Sequence, residues 1–320
     1  GLLMTMASAP GKIILFGEHA VVSGTAALGG AIDLRARAIV QSLPGRILIE
    51  TDDLSLRGFS LDLSTGEIRS ASAAYATRYV SAVLKELGAR DVRVMIESDI
   101  PPAAGLGSSA SIVVATVAAL NGHLGLELSQ KEIAALSYRI EKEVQKGRGS
   151  PMDTALATYG GYQRIADDNQ RLDLPPLEMV VGYTRLPHDT FSLVEKVQLL
   201  KERYPDLVGP IFQAIGAISE RAAPLIREQR LKDLGELMDI NHGLLEALGV
   251  GSRELSELVY AARNTGGALG AKLTGAGGGG CMIALPGMAG KDALLVALRQ
   301  ARGMAFAAMM GCEGVRLEVA

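Results

Sequence analysis

Apolar residues recur at every second position in several short runs of the first hundred residues. LRARAIVQSL (34–43), RILIET (46–51) and VRVMIES (92–98) carry this period, which suits strands with one buried face. Pro44-Gly45 separates the first two, so they are expected to pair through a turn. IILFGEHAVV (13–22) reads as a strand, a turn and a second short extended piece. Residues 72–87 switch to helical spacing, and in 129–145 Ile133, Leu136, Ile140 and Val144 fall on one helical face. A short helix from Asp153 and the strand GGYQRIA (160–166) follow. Later residues predict a strand in LEMVVGYT and helices near 190–203, 206–221, 231–248, 252–264 and 291–302. Further strands are expected in GAKLTG, GCMIAL and VRLEVA. The polar, proline-bearing stretch DDNQRLDLPP (167–176) marks the best boundary, giving an α+β chain of two domains, 4–170 and 171–320.

PPAAGLGSSAS (101–111) departs from both periods. Its glycines permit a turn with exposed N–H groups, and the apolar helix that follows adds unpaired N–H groups and the positive end of a dipole. Such a loop is a ready phosphate site, although no Gly-Lys-Ser/Thr follows to make a Walker A motif. An ordinary serine-capped turn would leave the same trace. Ser108 and Ser109 stand where N-cap and first-turn hydroxyls would sit, and either could also reach a metal ion.

Composition narrows the partners. The 320 residues are 48% hydrophobic with 32 basic and 35 acidic residues interspersed, so no basic stripe points to nucleic acid or a membrane surface. Trp is absent and aromatics make up 4%, which argues against a base-stacking platform. Cys281 and Cys312 are the only cysteines, fitting a reducing, cytoplasmic compartment, and the apolar start lacks the charged region of a signal peptide. His123, His188 and His242 lack metal-ligand spacing. There is no Gly-x-Ser-x-Gly elbow, and Gly105-x-Gly107 lacks the third glycine of a dinucleotide loop. These features leave a globular protein with a small-molecule partner.

Two further segments give the loop its context: SAPGKIILFGEHAVV (8–22) and KLTGAGGGGC (272–281). With the glycine loop they resemble, in order and wording, the signature segments of the GHMP kinase superfamily. VQKGRGSPMDT (144–154) and NHGLLEALGV (241–250) draw the resemblance toward its archaeal-type mevalonate kinase branch. The resemblance implies an N-terminal ribosomal-S5-like half and a C-terminal half with a ferredoxin-like core. It implies that ATP lies on Pro102, Ala103, Ala104, Gly105, Leu106, Gly107, Ser108, Ser109 and Ala110, and that mevalonate is the acceptor. Asp153, which could otherwise cap a helix, matches the family's catalytic aspartate. Lys12 is placed beside it as a fixed positive charge.

The resemblance also implies Mg²⁺, held by Ser109 and by a glutamate late on the helix before Asp153. The register is ambiguous between Glu141 and Glu143. Glu143 shares a charged flank with Glu132 and Arg139, its expected ion-pair partner. Glu141 shares its side with Ala134 and Ser137, small residues that leave room for a ligand, and is favoured on that ground. Glu18 and His19 are implied to lie against the acceptor, with Thr274 a further contact, although a lone His19 would read as structural. The glycine run 275–280 is expected to press close beneath the site. Phosphomevalonate kinase, with Arg148 as a possible phosphate contact, is the nearest rival, followed by a decarboxylase of the same fold and a non-catalytic sensor. Apolar helices such as 206–221 could serve a homodimer.

Overall fold

Two long antiparallel strands open the chain, β1 (Met4–Phe16) and β2 (Ala27–Ser42). Their register runs from Met4 opposite Gln41 to Phe16 opposite Leu28 and breaks at Pro10/Gly11, where proline offers no N–H to the ladder. The computed structural model describes residues 3–51, 59–62, 67–68, 74–187 and 189–319; His188 and the first residues of the helix expected at 72 lie outside these. The chain continues through β3 (Ile47–Thr51), β4 (Phe59–Asp62), β5 (Glu67–Ile68), α1 (Ala74–Leu87) and β6 (Val92–Ser98). Next come α2 (Ser108–Leu124), α3 (Gln130–Val144), α4 (Pro151–Tyr159), β7 (Tyr162–Ile165), β8 (Asn169–Leu172) and β9 (Leu177–Tyr183). Four helices follow: α5 (Thr190–Arg203), α6 (Pro205–Arg227), α7 (Leu231–Ala247) and α8 (Arg253–Asn264). The chain ends with β10 (Gly270–Thr274), β11 (Cys281–Leu285), α9 (Gly290–Gln300), β12 (Met304–Met310) and β13 (Arg316–Glu318).

Among the described residues the strands form one sheet ordered β10-β11-β9-β12-β2-β6-β3-β4-β5, with β1, β13, β7 and β8 joined beside β2. Two expectations change here, and one strand is added. The runs 34–43 and 46–51 do not pair, because β6 lies between them, antiparallel to β2 and parallel to β3. The turn's own groups bind the start of β6: Leu43 N–H reaches the Asp91 carbonyl, and Gly45 N–H reaches Asp91 Oδ1 at 2.7 Å. Residues 20–23 coil into a 3₁₀ turn instead of an extended piece. MAFAAMM, unassigned from sequence, is β12, paired with β9 along its whole length and touching β2 through Met310 opposite Ile32.

Helix α2 is the centre of the first half. Every residue from Ser108 to Leu120 is buried, as expected for a helix apolar on all sides that lies against β1 and β2 and is covered by α1 and α3. In the second half the strands are buried on both faces. Val180, Met282 and Ala284 enter a core with α6, α8 and α9, whereas Met179, Val181 and Ile283 face the large core shared with β1 and α2. Cys281 is buried and Cys312 half-buried, both as free thiols. Among the described residues no helix is long and apolar enough to cross a membrane.

The outer edge of β10 is closed by side chains. Asp239 Oδ1 accepts the Ala271 N–H at 2.9 Å, Arg263 donates to the Ala271 carbonyl at 2.9 Å, and His242 Nδ1 accepts the Leu273 N–H at 3.0 Å. That last bond requires the neutral imidazole with its proton on Nε2, 3.2 Å from Glu246 Oε1. Burial, reinforced by the nearby Arg263 charge, lowers the His242 pKa to about 4 despite Glu246. A depressed folded pKa means the unfolded chain binds the extra proton first. Stability should therefore be complete above the ordinary histidine range and fall as pH drops from about 6.5 toward 4, by up to roughly 3 kcal/mol. Urea unfolding at pH 7.5 and 5 should show this loss in the wild type and a smaller one in His242→Gln. Equal losses would remove His242 as its source.

Candidate active site

The glycine loop docks on β1 at the Pro10/Gly11 irregularity. Lys12 N–H donates to the Leu106 carbonyl at 2.9 Å, and Ser111 Oγ donates to the Pro10 carbonyl at 2.6 Å. A Cβ on Gly11 would stand 2.8 Å from that Leu106 oxygen, so only glycine allows the approach. Ala104 and Leu106 turn inward, while Ala103, Gly105 and Gly107 take φ of +56°, +82° and +74°. Alternating backbone of this kind gathers N–H groups into an anion-binding concavity, here continued by the start of α2. Gly107, not Ser108, is the N-cap; Ser108 begins the helix proper. Pro102 is half-buried at the loop's entrance, and Ala110 is buried on α2.

Lys12 projects from β1 toward α4. Ser150 holds the N-cap position of α4 without a side-chain bond to the helix, Pro151 is the first residue, and Asp153 sits in the first turn, so Asp153 is not the cap. Lys12 Nζ lies 3.3 Å from Asp153 Oδ1, with side-chain exposures of 8% and 17%, so the pair is screened from bulk water. Asp153 Oδ1 is buried with no aligned hydrogen bond of its own, which leaves a lone pair for an incoming proton.

The third charge comes from α3. Glu141 is buried while Glu143 is exposed, as the small-residue flank suggested. The expected Arg139–Glu143 pair does not form; Arg139 instead binds Glu86 of α1, which lies across the interface between the two helices. Glu141 Oε1 accepts from Ser109 Oγ at 2.7 Å and from Gln145 Nε2 at 3.0 Å. Its Oε2 is buried and has no partner. Burial first, then the Asp153 charge, raises the Glu141 pKa to about 7. A buried carboxylate with one oxygen open, beside a serine hydroxyl, fits a divalent cation that keeps waters and takes its remaining ligands from phosphates. Among the described residues no cluster of three His, Cys, Asp or Glu side chains could cage a metal unaided.

Beside β1, Glu18 and His19 meet Gly275 and Ala276, 257 positions later in the chain. Gly17 has φ +101° and stands with Ala27 Cα 2.4 Å from where a Cβ would be, so the chain must turn at glycine. Glu18 and His19 follow, both buried. His19 Nε2 lies 2.8 Å from the Ala276 carbonyl, and burial lowers the ring's pKa, so the imidazole is neutral with the proton on Nε2. Thr274 Oγ1 donates to the Ile14 carbonyl at 2.7 Å, tying β10 to β1. The glycine run beyond it packs against the second half and not against the phosphate loop: a Cβ on Gly277 would lie 2.0 Å from the Val250 carbonyl and one on Gly279 2.8 Å from the Pro187 carbonyl, whereas one on Gly275 would meet nothing within 4 Å.

Two residues with evident roles were missed from the sequence. Gln145, four positions after Glu141, also donates to Tyr79 Oη at 3.0 Å and so fixes the glutamate's orientation. Helical spacing alone could have flagged it. Lys272 is fully buried against Glu18. Its signal was a single charge inside an otherwise small and apolar strand.

Residues 74–161 match the family model for the GHMP kinases N terminal domain, and 222–302 match that for GHMP kinases C terminal. A mevalonate kinase of Pyrococcus horikoshii is 43% identical over 98% of this chain and 97% of its own length. Two solved structures share the fold over nearly the whole chain. Methanococcus jannaschii mevalonate kinase is 32% identical with a TM-score of 0.82, covering 97% of this chain and 98% of its own. L. major mevalonate kinase in complex with R-mevalonate is 26% identical with a TM-score of 0.84, covering 98% and 97%. Matched in both halves and aligned almost end to end with such relatives, the chain belongs to the GHMP kinase family.

Proposed function

We propose that the chain transfers the γ-phosphoryl group of ATP to the 5-hydroxyl of mevalonate, giving 5-phosphomevalonate. The observation that carries phosphoryl transfer is the Lys12–Asp153 pair at 3.3 Å, set beside an N–H cradle and a buried carboxylate. The acceptor follows from the relatives' shared name, and the buried turn of Glu18 and His19 is read as its subsite.

In this reading the triphosphate lies on Pro102–Ala110, with Gly105, Gly107 and the first N–H groups of α2 meeting the phosphate oxygens. Asp153 accepts the hydroxyl proton as the new P–O bond forms, and Lys12 offsets the charge developing on the attacking oxygen. Glu141 Oε2 and the Ser109 hydroxyl would hold Mg²⁺, which when bound neutralises charge on the transferring phosphate. Gln145 keeps Glu141 turned so that Oε2 stays open. Glu18, His19 and Thr274 form the acceptor wall, and a closed wall excludes water that would otherwise hydrolyse ATP.

The test is ADP release from Mg·ATP with mevalonate, phosphomevalonate, galactose and homoserine offered separately. Turnover with mevalonate alone is expected. Turnover with phosphomevalonate alone would move the assignment to the second kinase, and silence with all four, with ATP bound, would favour a sensor.

A further inference from the structure

The mechanism above makes no use of Lys272, a charge as deeply buried as any among the described residues. Lys272 is completely inaccessible, and its Nζ donates to Glu18 Oε1 at 2.8 Å and to the Leu273 carbonyl at 2.7 Å, 6.0 Å from the centre of the Phe16 ring. Burying an ion pair is poor value for stability, because well-packed apolar residues of similar size often serve as well or better. Its position suggests another task.

Glu18 is tied at three points. One carboxylate oxygen takes Lys272, the other accepts the Gly275 N–H at 3.3 Å, and its backbone carbonyl accepts the Ala20 N–H at 2.9 Å. That last bond closes a γ-turn around His19, which has φ +68° and ψ −49°. A γ-turn with positive φ is rare and strained for a residue with a side chain, and persists only where its surroundings over-determine it. The His19 bond to the Ala276 carbonyl supplies the second anchor. Consecutive residues, Glu18 and His19, are thus stitched to consecutive residues, Gly275 and Ala276. With the proton on Nε2, His19 Nδ1 is an acceptor, buried and without a partner.

We propose that Lys272 is a positioning residue for the acceptor subsite. By fixing Glu18 it holds the strained turn at His19, and with it the one imidazole lone pair left open for a hydroxyl of the acceptor. The subsite's ligand rests on the mevalonate reading above; the latch itself does not.

The experiment compares wild type with Lys272→Met in two readouts. Steady-state kinetics should show the mevalonate KM raised about 10- to 100-fold, as a misplaced contact costs, with the ATP KM within about twofold of wild type. Nitrogen NMR of the rings, simple to assign with 4 histidines, should show a fixed Nε2–H tautomer for His19 in wild type and a mixture in the variant. Lys272→Met leaves Glu18 as an unpaired buried charge, so Lys272→Met/Glu18→Gln is made alongside it. If the single variant does not fold, the double variant carries the same tautomer measurement. A His19 tautomer still fixed in whichever variant folds would overturn the proposal. So would an ATP KM that rises in step with that of mevalonate, since that pattern reports general loosening. Absence of mevalonate turnover in the wild type would refute the assigned reaction while leaving the tautomer result to decide on the latch.

Discussion

Asp153→Asn should lower kcat with mevalonate by about 10²- to 10⁴-fold, the range a positioned general base supplies. The fold should survive. Asp153 lies in the first turn of α4 without capping it, asparagine keeps its shape, and losing the carboxylate relieves the charge that helps push Glu141 upward. ATP affinity, measured by calorimetry, should stay within about threefold of wild type, because the cradle and the start of α2 are untouched. Lys12→Met should reduce kcat comparably. The double variant should be little worse than the more damaging single one, since groups 3.3 Å apart acting on one proton transfer behave as a unit. Wild-type turnover in Asp153→Asn would end the base assignment. Additive losses in the double variant would mean that Lys12 and Asp153 act on different steps.

Glu141→Gln should separate activity from stability in opposite directions. In the proposed function its open Oε2 would hold a divalent cation, for which an amide is a poor substitute, so kcat/KM for Mg·ATP should fall by about 10²-fold or more. The isolated protein should become more stable at pH 8. A carboxyl whose folded pKa is raised to about 7 binds its proton more tightly in the native state, so its contribution is complete below about pH 4.5 and is lost as pH rises through 7. At pH 8 the buried charge is a burden on the order of 1–3 kcal/mol, which glutamine removes. Urea unfolding at pH 5 and pH 8, without nucleotide or metal, should show the gain only at the higher pH. A less stable variant at pH 8 would mean that the Ser109 and Gln145 hydrogen bonds outweigh the desolvation of Glu141.

How far these features could be read in advance depended on the range of the interactions behind them. Where a feature follows from neighbours in sequence, the reading was close. β6 was expected at 92–98 and forms at Val92–Ser98, and α3 was placed within a residue at each end. The choice of Glu141 over Glu143 needed only helical geometry, since the apolar stripe fixes which flank turns inward. Strand β12 was missed for the opposite reason. Ala and Met are good helix formers, and MAFAAMM becomes a strand because it fills the slot between β9 and β2. The false hairpin at 34–51 failed similarly: Pro44-Gly45 does turn, but β6, which begins only at Val92, takes the place between the strands.

The site divides along the same line. By itself the sequence carried the resemblance to the family, and through it the candidates Lys12, Asp153, Ser109 and Glu141, because signature segments and a helix face are short-range patterns. Only the tertiary structure decided that Lys272 is buried against Glu18, 254 residues away, that His19 is bent to φ +68° over Ala276, and that His242 closes the edge of β10. Those facts depend on which strands become neighbours. Burial then sets the cost of every unpaired charge, and no local pattern encodes burial that a distant segment supplies.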